Sequence, residues 1–168
     1  MIPKISVPGR KCVSDQWERI LRRYQTLKEI DEARACPASL EEQNDAVLPF
    51  FQDCYHFKDW IKNSCGNESL IIEIEKFVSE SPSLTICGEI CNGTKHLDTS
   101  RSRGYKKYGE ISLPRAYVLI DTNEENPHVK SVKFSVTSAK TKEVFDTFDL
   151  ATECLKEWRN FLVKQGLS

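Results

Sequence analysis

RAYVLIDTNEENPHVKSVKFSVTS, residues 115–138, is the stretch that separates this chain from an all-helical protein. It is rich in β-branched and aromatic residues that alternate with polar ones, and NEENP (123–127) interrupts it as a turn. That pattern predicts two strands joined by a short connection. KEVFDTF (142–148) follows a second turn and predicts a third strand. Because short connections join antiparallel strands, we predict a three-stranded antiparallel β-meander over 115–148.

Helical periodicity fills the chain on both sides of these strands. Apolar residues recur at helical spacing between 15 and 97, and capping boxes open two of the helices at Asp15 and Ser39. A further helix, 149–166, is predicted to begin at the cap residue Asp149. The predicted fold class is therefore α+β and mostly helical: a four-helix bundle, then the β-meander, then a closing C-terminal helix. The four bundle helices are predicted over 15–33, 39–65, 68–80 and 82–96.

Length and composition limit the class of protein further. A chain of 168 residues predicts a single domain, 1–168, with an irregular arm at 1–14 and a polar loop at 98–114. Its 24 basic and 25 acidic residues exclude a histone-like polycation. The sequence has no secretory signal and no apolar run near the ~18 residues of a membrane span, so we expect a cytoplasmic protein with no membrane association.

Two helical segments combine polar residues with apolar stripes. HFKDW (56–60) places His56 and Asp59 three residues apart, and CNGTKH (91–96) places Asn92 and His96 four apart, with Lys95 beside them. If the two helices pack antiparallel, these groups face one cleft and supply a base, its orienting partner and a cation. The alternative is structural, because Asp59 then pairs with a lysine and His96 caps its helix.

The second segment also carries a family resemblance. CNGTKH at a helix end, after a helix that bears HxxDW, resembles uncharacterised bacterial helical-bundle proteins and is distantly similar to the HEPN superfamily, over residues 15–97. The resemblance implies an all-helical dimeric domain of prokaryotic immunity or toxin systems. Ribonucleases of that family carry an Arg, a polar residue such as Asn and then a His. Asn92 and His96 match the last two, but Cys91 stands in the arginine's place.

The predicted loop, DTSRSRGYKKYGEISLP (98–114), is locally basic and contains two glycines. In this loop, cationic side chains alternate with tyrosines. The cations can bind phosphates and the tyrosine rings can stack on unpaired bases, so the loop is a candidate nucleic-acid-binding segment. The alternative is an ordinary solvated loop. The candidate binding residues are Arg101, Arg103, Tyr105, Lys106 and Lys107.

The sequence predicts no cofactor and no metal site. It has no glycine-rich nucleotide motif, no HExxH and no GxSxG. Seven cysteines without a CxxC are expected to be reduced, mostly as small core residues. Cys87 and Cys91 lie four apart on one helix, but no close fourth ligand completes a zinc pattern, and we predict that both are core thiols.

From these features we expect a non-catalytic, HEPN-like binding or interaction protein of a bacterial or mobile-element system, of the defence or toxin type. It would self-associate and recognise RNA or a protein through residues 92–108. The alternative is a metal-independent ribonuclease that uses His96 with Asn92 and a nearby Lys or Arg. A third hypothesis assigns partner binding to the free edge of the sheet.

Overall fold

A computed structural model describes residues 13–32, 39–65, 67–93, 115–121, 128–138 and 140–167. These ranges contain more helix than strand, so the protein is a mostly helical α+β protein, as predicted. The elements in chain order are α1 (Val13–Asp31), α2 (Leu40–Cys65), α3 (Glu68–Glu80), α4 (Pro82–Gly93), β1 (Arg115–Asp121), β2 (His128–Thr137), β3 (Val144–Asp146) and α5 (Thr147–Lys164).

The boundary between α3 and α4 follows from local capping. The Asn67 side chain accepts a hydrogen bond from the Ser69 backbone N–H at 3.0 Å and starts α3. Ser81 ends α3 with its backbone N–H on the Phe77 carbonyl, and its hydroxyl accepts from the Leu84 N–H at 3.3 Å at the start of α4. Pro82 then occupies the first helical position, which does not require an N–H donor. The predicted range 68–80 is confirmed.

The last helix begins earlier than the sequence pattern predicted. Its cap is Asp146, whose carboxylate accepts from the backbone N–H groups of Phe148 and Asp149 at 2.9 and 3.0 Å. The prediction that Asp149 is the cap is therefore wrong, and of the predicted strand 142–148 only Val144–Asp146 is a strand. A single carboxylate bound to two free amides fixes the first helical turn at a position where the side-chain pattern still alternates.

The sheet consists mainly of one antiparallel pair. β1 pairs with β2 from Arg115↔Ser135 to Asp121↔His128, with a register shift between Leu119 and Ile120. β3 adds three residues on the other side of β2, so the strand order is β1-β2-β3. The predicted meander with a full-length third strand is thus reduced to a two-stranded ribbon with a short third strand.

The helices share one core, and α2 lies at its centre. α2 contacts α1, α3, α4 and α5, and β2 packs against both α1 and α5. Trp158 of α5 is fully buried, and its ring centroid lies 5.1 Å from that of Phe57 and 5.5 Å from that of Phe77. The prediction of a four-helix bundle within 15–97 is wrong, because the buried stripe of α5 is part of the same core.

Candidate functional site

Close packing of α2 against α4 positions the candidate residues. Gly88 of α4 faces Tyr55 of α2, and a Cβ at this position would lie only 2.5 Å from the Tyr55 Cε2. The absence of a side chain at Gly88 therefore lets the tyrosine ring lie against the helix backbone. The residues next to this contact, His56 on α2 and Cys91 on α4, meet across the same interface.

His56 is held from two sides. Its Nδ1 lies 3.4 Å from the Asp59 Oδ2, one helical turn further along α2, and its Nε2 lies 3.5 Å from the Cys91 Sγ. Asn92, the next residue of α4, is half-buried. We call His56, Asp59, Cys91 and Asn92 the polar corner. Part of it is open to solvent, since the His56 and Asp59 side chains are 38% and 41% exposed.

Asp59 lies in a network of opposite charges between α2 and α3. Lys62 Nζ is 2.8 Å and Lys58 Nζ is 3.9 Å from the Asp59 Oδ1, and both lysines also contact Glu75 of α3, at 2.5 and 3.4 Å. Partial burial by itself raises the pKa of Asp59, but Lys62, Lys58 and His56 outweigh it and hold the pKa below its usual value. Asp59 is therefore a stable carboxylate that orients His56.

The order thiol, imidazole, carboxylate matches that of a nucleophile, its base and the orienting group in cysteine enzymes. Exposure argues against that role here. Cys91 is fully buried, whereas a nucleophilic thiolate must meet its substrate. The contact between Cys91 and His56 therefore positions the imidazole. No part of the sequence analysis singled out Cys91 as a partner of His56; its position four residues after Cys87 indicated only a shared helix face.

The other predicted site residues fall into two groups. Lys95 and His96 lie outside the described residues, and so do Arg101, Arg103, Tyr105, Lys106 and Lys107, so their proximity to His56 and Asp59 stays a prediction. On α1, Arg19 contacts Asp53 of α2, and the Arg23 Nε lies 3.9 Å from the same carboxylate. These arginines are thus partly neutralised by Asp53.

The two described cysteines of α4, Cys87 and Cys91, have different neighbours. Cys87 does not face Cys91; its thiol lies with those of Cys54 on α2 and Cys154 on α5, and the three sulfur atoms are all within 4.8 Å of one another. We call these three residues the thiol cluster. All three are fully buried, so the prediction that Cys87 is a core thiol agrees with its position. Sequence spacing could not reveal the cluster, because its members come from three different helices.

The three thiols of the cluster differ in pKa because each has different neighbours. Burial raises the pKa of each thiol, and for Cys87 and Cys154 the result is a pKa well above the ordinary value. At Cys54, the neighbouring Cys154 and Cys87 thiols and the nearby Trp158 N–H outweigh the effect of burial and lower the pKa. The Cys87 thiol also donates to the Phe51 carbonyl at 3.2 Å, and the Cys154 thiol to the Ser83 carbonyl at 3.5 Å.

The chain matches no protein-family model, no curated protein and no solved structure. Among the helices in the described ranges, none has the length and apolar character that spanning a bilayer requires. The function of the chain is therefore inferred from its residues and their contacts.

Proposed function

We propose that this chain is a non-catalytic, HEPN-like binding protein of a bacterial or mobile-element defence or toxin-type system. It acts in the cytoplasm, self-associates, and binds single-stranded RNA through residues 92–108. Asn92 and His96 organise the site, and Arg101, Arg103, Lys106 and Lys107 contact phosphates while Tyr105 stacks on a base. RNA is favoured over a protein partner because the loop combines cations with tyrosines.

One contact carries this proposal. The His56–Cys91 contact places the polar segment of α2 against the last turn of α4, and the chain continues from that turn into residues 94–108. Two segments that are 35 residues apart in sequence therefore meet at the point where the proposed RNA-binding segment begins. This supports a single site that includes His56, Asp59 and Asn92.

The same contact supports binding over catalysis. Both ring nitrogens of His56 lie within 3.5 Å of a partner, so the ring is oriented by its neighbours. The position at which the resembling ribonucleases carry an arginine holds Cys91, whose thiol supplies no positive charge to a phosphorus centre in the transition state. His56 is therefore a positioning residue for the binding surface.

Fluorescence anisotropy with labelled single-stranded RNA in EDTA tests the proposal. The double variant R101Q/R103Q removes two proposed phosphate contacts, so the slope of log K against log salt should fall by about 1.4 in magnitude. The matched control K76Q/K156Q removes the same charge from exposed positions on α3 and α5 and should leave the slope unchanged. No binding by the unsubstituted protein, or equal losses in both double variants, would contradict the proposal.

The ribonuclease alternative is an outcome of the same experiment. If His96 acts as a base with Asn92 and Lys95, unlabelled RNA is shortened in EDTA and His96→Ala stops the shortening while binding persists. Intact RNA at high protein concentration, together with measurable binding, supports the non-catalytic function. Size-exclusion chromatography with light scattering measures the self-association that the resemblance implies.

A further inference from the structure

The thiol cluster brings together three soft ligand atoms at one point. Cys54, Cys87 and Cys154 come from α2, α4 and α5, and their sulfur atoms lie within 4.8 Å of one another with no exposure to solvent. Among the described residues this is the group of three that has the spacing of a metal site. Three sulfurs bound to one zinc ion at ~2.3 Å lie closer together than this, so small side-chain rotations are enough to bring them onto an ion.

A second observation also points to a charged sulfur. The Trp158 indole N–H is fully buried and has no hydrogen-bond acceptor among the described residues. It faces the Cys54 thiol. A buried N–H that lacks an acceptor destabilises the fold, and a metal-bound thiolate is a stronger acceptor than a neutral thiol. N–H donors of this kind commonly orient the ligands of a metal site.

We propose that Cys54, Cys87 and Cys154 form a buried binding site for one thiophilic divalent metal ion of the zinc class. The site is independent of the proposed function, because its side chains lie in the core and take no part in the polar corner. Thiolate ligands select zinc and copper(I) over magnesium or calcium. A divalent ion is favoured over copper(I), since three thiolates then leave one net negative charge in the core instead of two.

Two backbone oxygens lie beside the cluster. The carbonyls of Phe51 and Ser83 accept hydrogen bonds from the Cys87 and Cys154 thiols at 3.2 and 3.5 Å. Either oxygen is available for the fourth position of a tetrahedral ion once the thiol protons are gone. In the exchange each metal–sulfur bond replaces an S–H bond, and the protons pass to solvent, so the metal affinity should rise with pH.

Cobalt(II) is the optical probe for this site, because it occupies tetrahedral zinc sites and its thiolate complexes are coloured. The reduced 168-residue chain is refolded without oxygen in the presence of cobalt(II), since the cluster is sealed in the folded state. We expect one equivalent to bind with the absorption of a tetrahedral thiolate complex, and zinc(II) to displace it. At a urea concentration that exposes the cluster thiols of the metal-free protein, zinc should also protect all three from alkylation, counted by mass spectrometry.

The single variants Cys54→Ala, Cys87→Ala and Cys154→Ala should each lose the cobalt absorption. Cys91→Ala is the matched control, since Cys91 is equally buried, lies on the same helix as Cys87 and is outside the cluster. Cys12, Cys36 and Cys65 are replaced by serine throughout, so that only the four described free thiols remain.

Two results would overturn the metal site: a featureless cobalt spectrum, or loss of the absorption in the Cys91→Ala control. Circular dichroism checks that each variant folds. If the cluster variants fail to fold, alkylation of the protein that keeps all four thiols decides the question, because a site without metal gives the same thiol count with and without zinc.

Discussion

The thiol cluster and the polar corner are built on the same pair of helices and differ in almost every other respect. Cys54 and His56 are two residues apart on α2, and Cys87 and Cys91 are one turn apart on α4. The cluster includes Cys154 of α5 and is sealed, whereas the corner lies between α2 and α4 and leaves His56 38% exposed. Solvent access therefore determines which ligand each group of side chains can bind: a small ion in the buried cluster, and a macromolecule at the exposed corner.

The largest expected loss of stability comes from a substitution next to the thiol cluster. Trp158→Ala removes a fully buried ring that contacts Phe57 and Phe77, and it should lower the free energy of unfolding by about 3–5 kcal/mol. Urea denaturation measures the loss. Arg159→Ala, at the exposed neighbouring position, is the control and should stay within about 0.5 kcal/mol of the unsubstituted protein. Equal losses in both would show that α5 is not part of the core.

The second largest loss of stability is expected at the contact between α2 and α4, which separates the thiol cluster from the polar corner. Gly88→Ala places a Cβ against the Tyr55 ring, and we expect a net loss of about 1–3 kcal/mol despite the better helix propensity of alanine. The double variant Gly88→Ala/Tyr55→Ala should lose less than the sum of the two single variants, because the small side chain at position 55 makes room. Strict additivity in urea denaturation would mean that Gly88 and Tyr55 do not determine the helix spacing.

A smaller loss of stability is expected at the N-terminus of α5, the helix that contributes Cys154 to the cluster. Asp146→Ala removes the cap of α5, the helix that carries Cys154, and should cost about 1 kcal/mol. Asp149→Ala, three residues later, loses only a favourable charge near the helix start, so its cost should be about 0.3–1 kcal/mol. Thermal unfolding followed by circular dichroism ranks the two variants. A greater loss for Asp149→Ala would restore the cap position that the sequence predicted.

The smallest effect is in the polar corner. Asp59→Asn should cost less than about 1 kcal/mol at neutral pH, because water screens the ion pairs of a carboxylate that is 41% exposed. The pKa of Asp59 is lowered in the folded protein, so its stabilising contribution is present above about pH 4 and disappears as the pH falls through the lowered pKa. Urea midpoints of the two proteins should therefore converge in acid. A difference that persists at low pH would rule out the charge of Asp59 as its cause.

One of the two capping boxes predicted from the sequence marks a helix start in the structure. The Ser39 hydroxyl accepts a hydrogen bond from the Glu42 N–H at the start of α2, whereas Asp15 lies inside the first turn of α1, which begins at Val13. The start of α5 was misplaced because Val144–Phe148 alternates like a strand, and the two amides bound by Asp146 are not apparent from a side-chain pattern. In this segment the strand propensity of the side chains competes with capping by Asp146, and the helix begins where the cap places it.

Contacts between helices were harder to predict. The sequence placed Cys87 and Cys91 on one helix face, but it could not say that α5 lies opposite the first and His56 opposite the second. Such partners depend on how three helices pack, which is a property of the whole core. For the same reason the sequence indicated that His56 and Asp59 are neighbours, at i and i+3, and missed the contact of His56 with Cys91.

Histidine ring signals in an NMR titration with single-stranded RNA test the central claim, that the polar corner and residues 92–108 form one binding site. The chain has three histidines, and His128, at the start of β2, serves as the internal control. We predict that the signals of His56 and His96 shift together as RNA is added, while that of His128 stays in place. RNA that shifts the His96 signal and leaves His56 unchanged, or shifts neither, would contradict it.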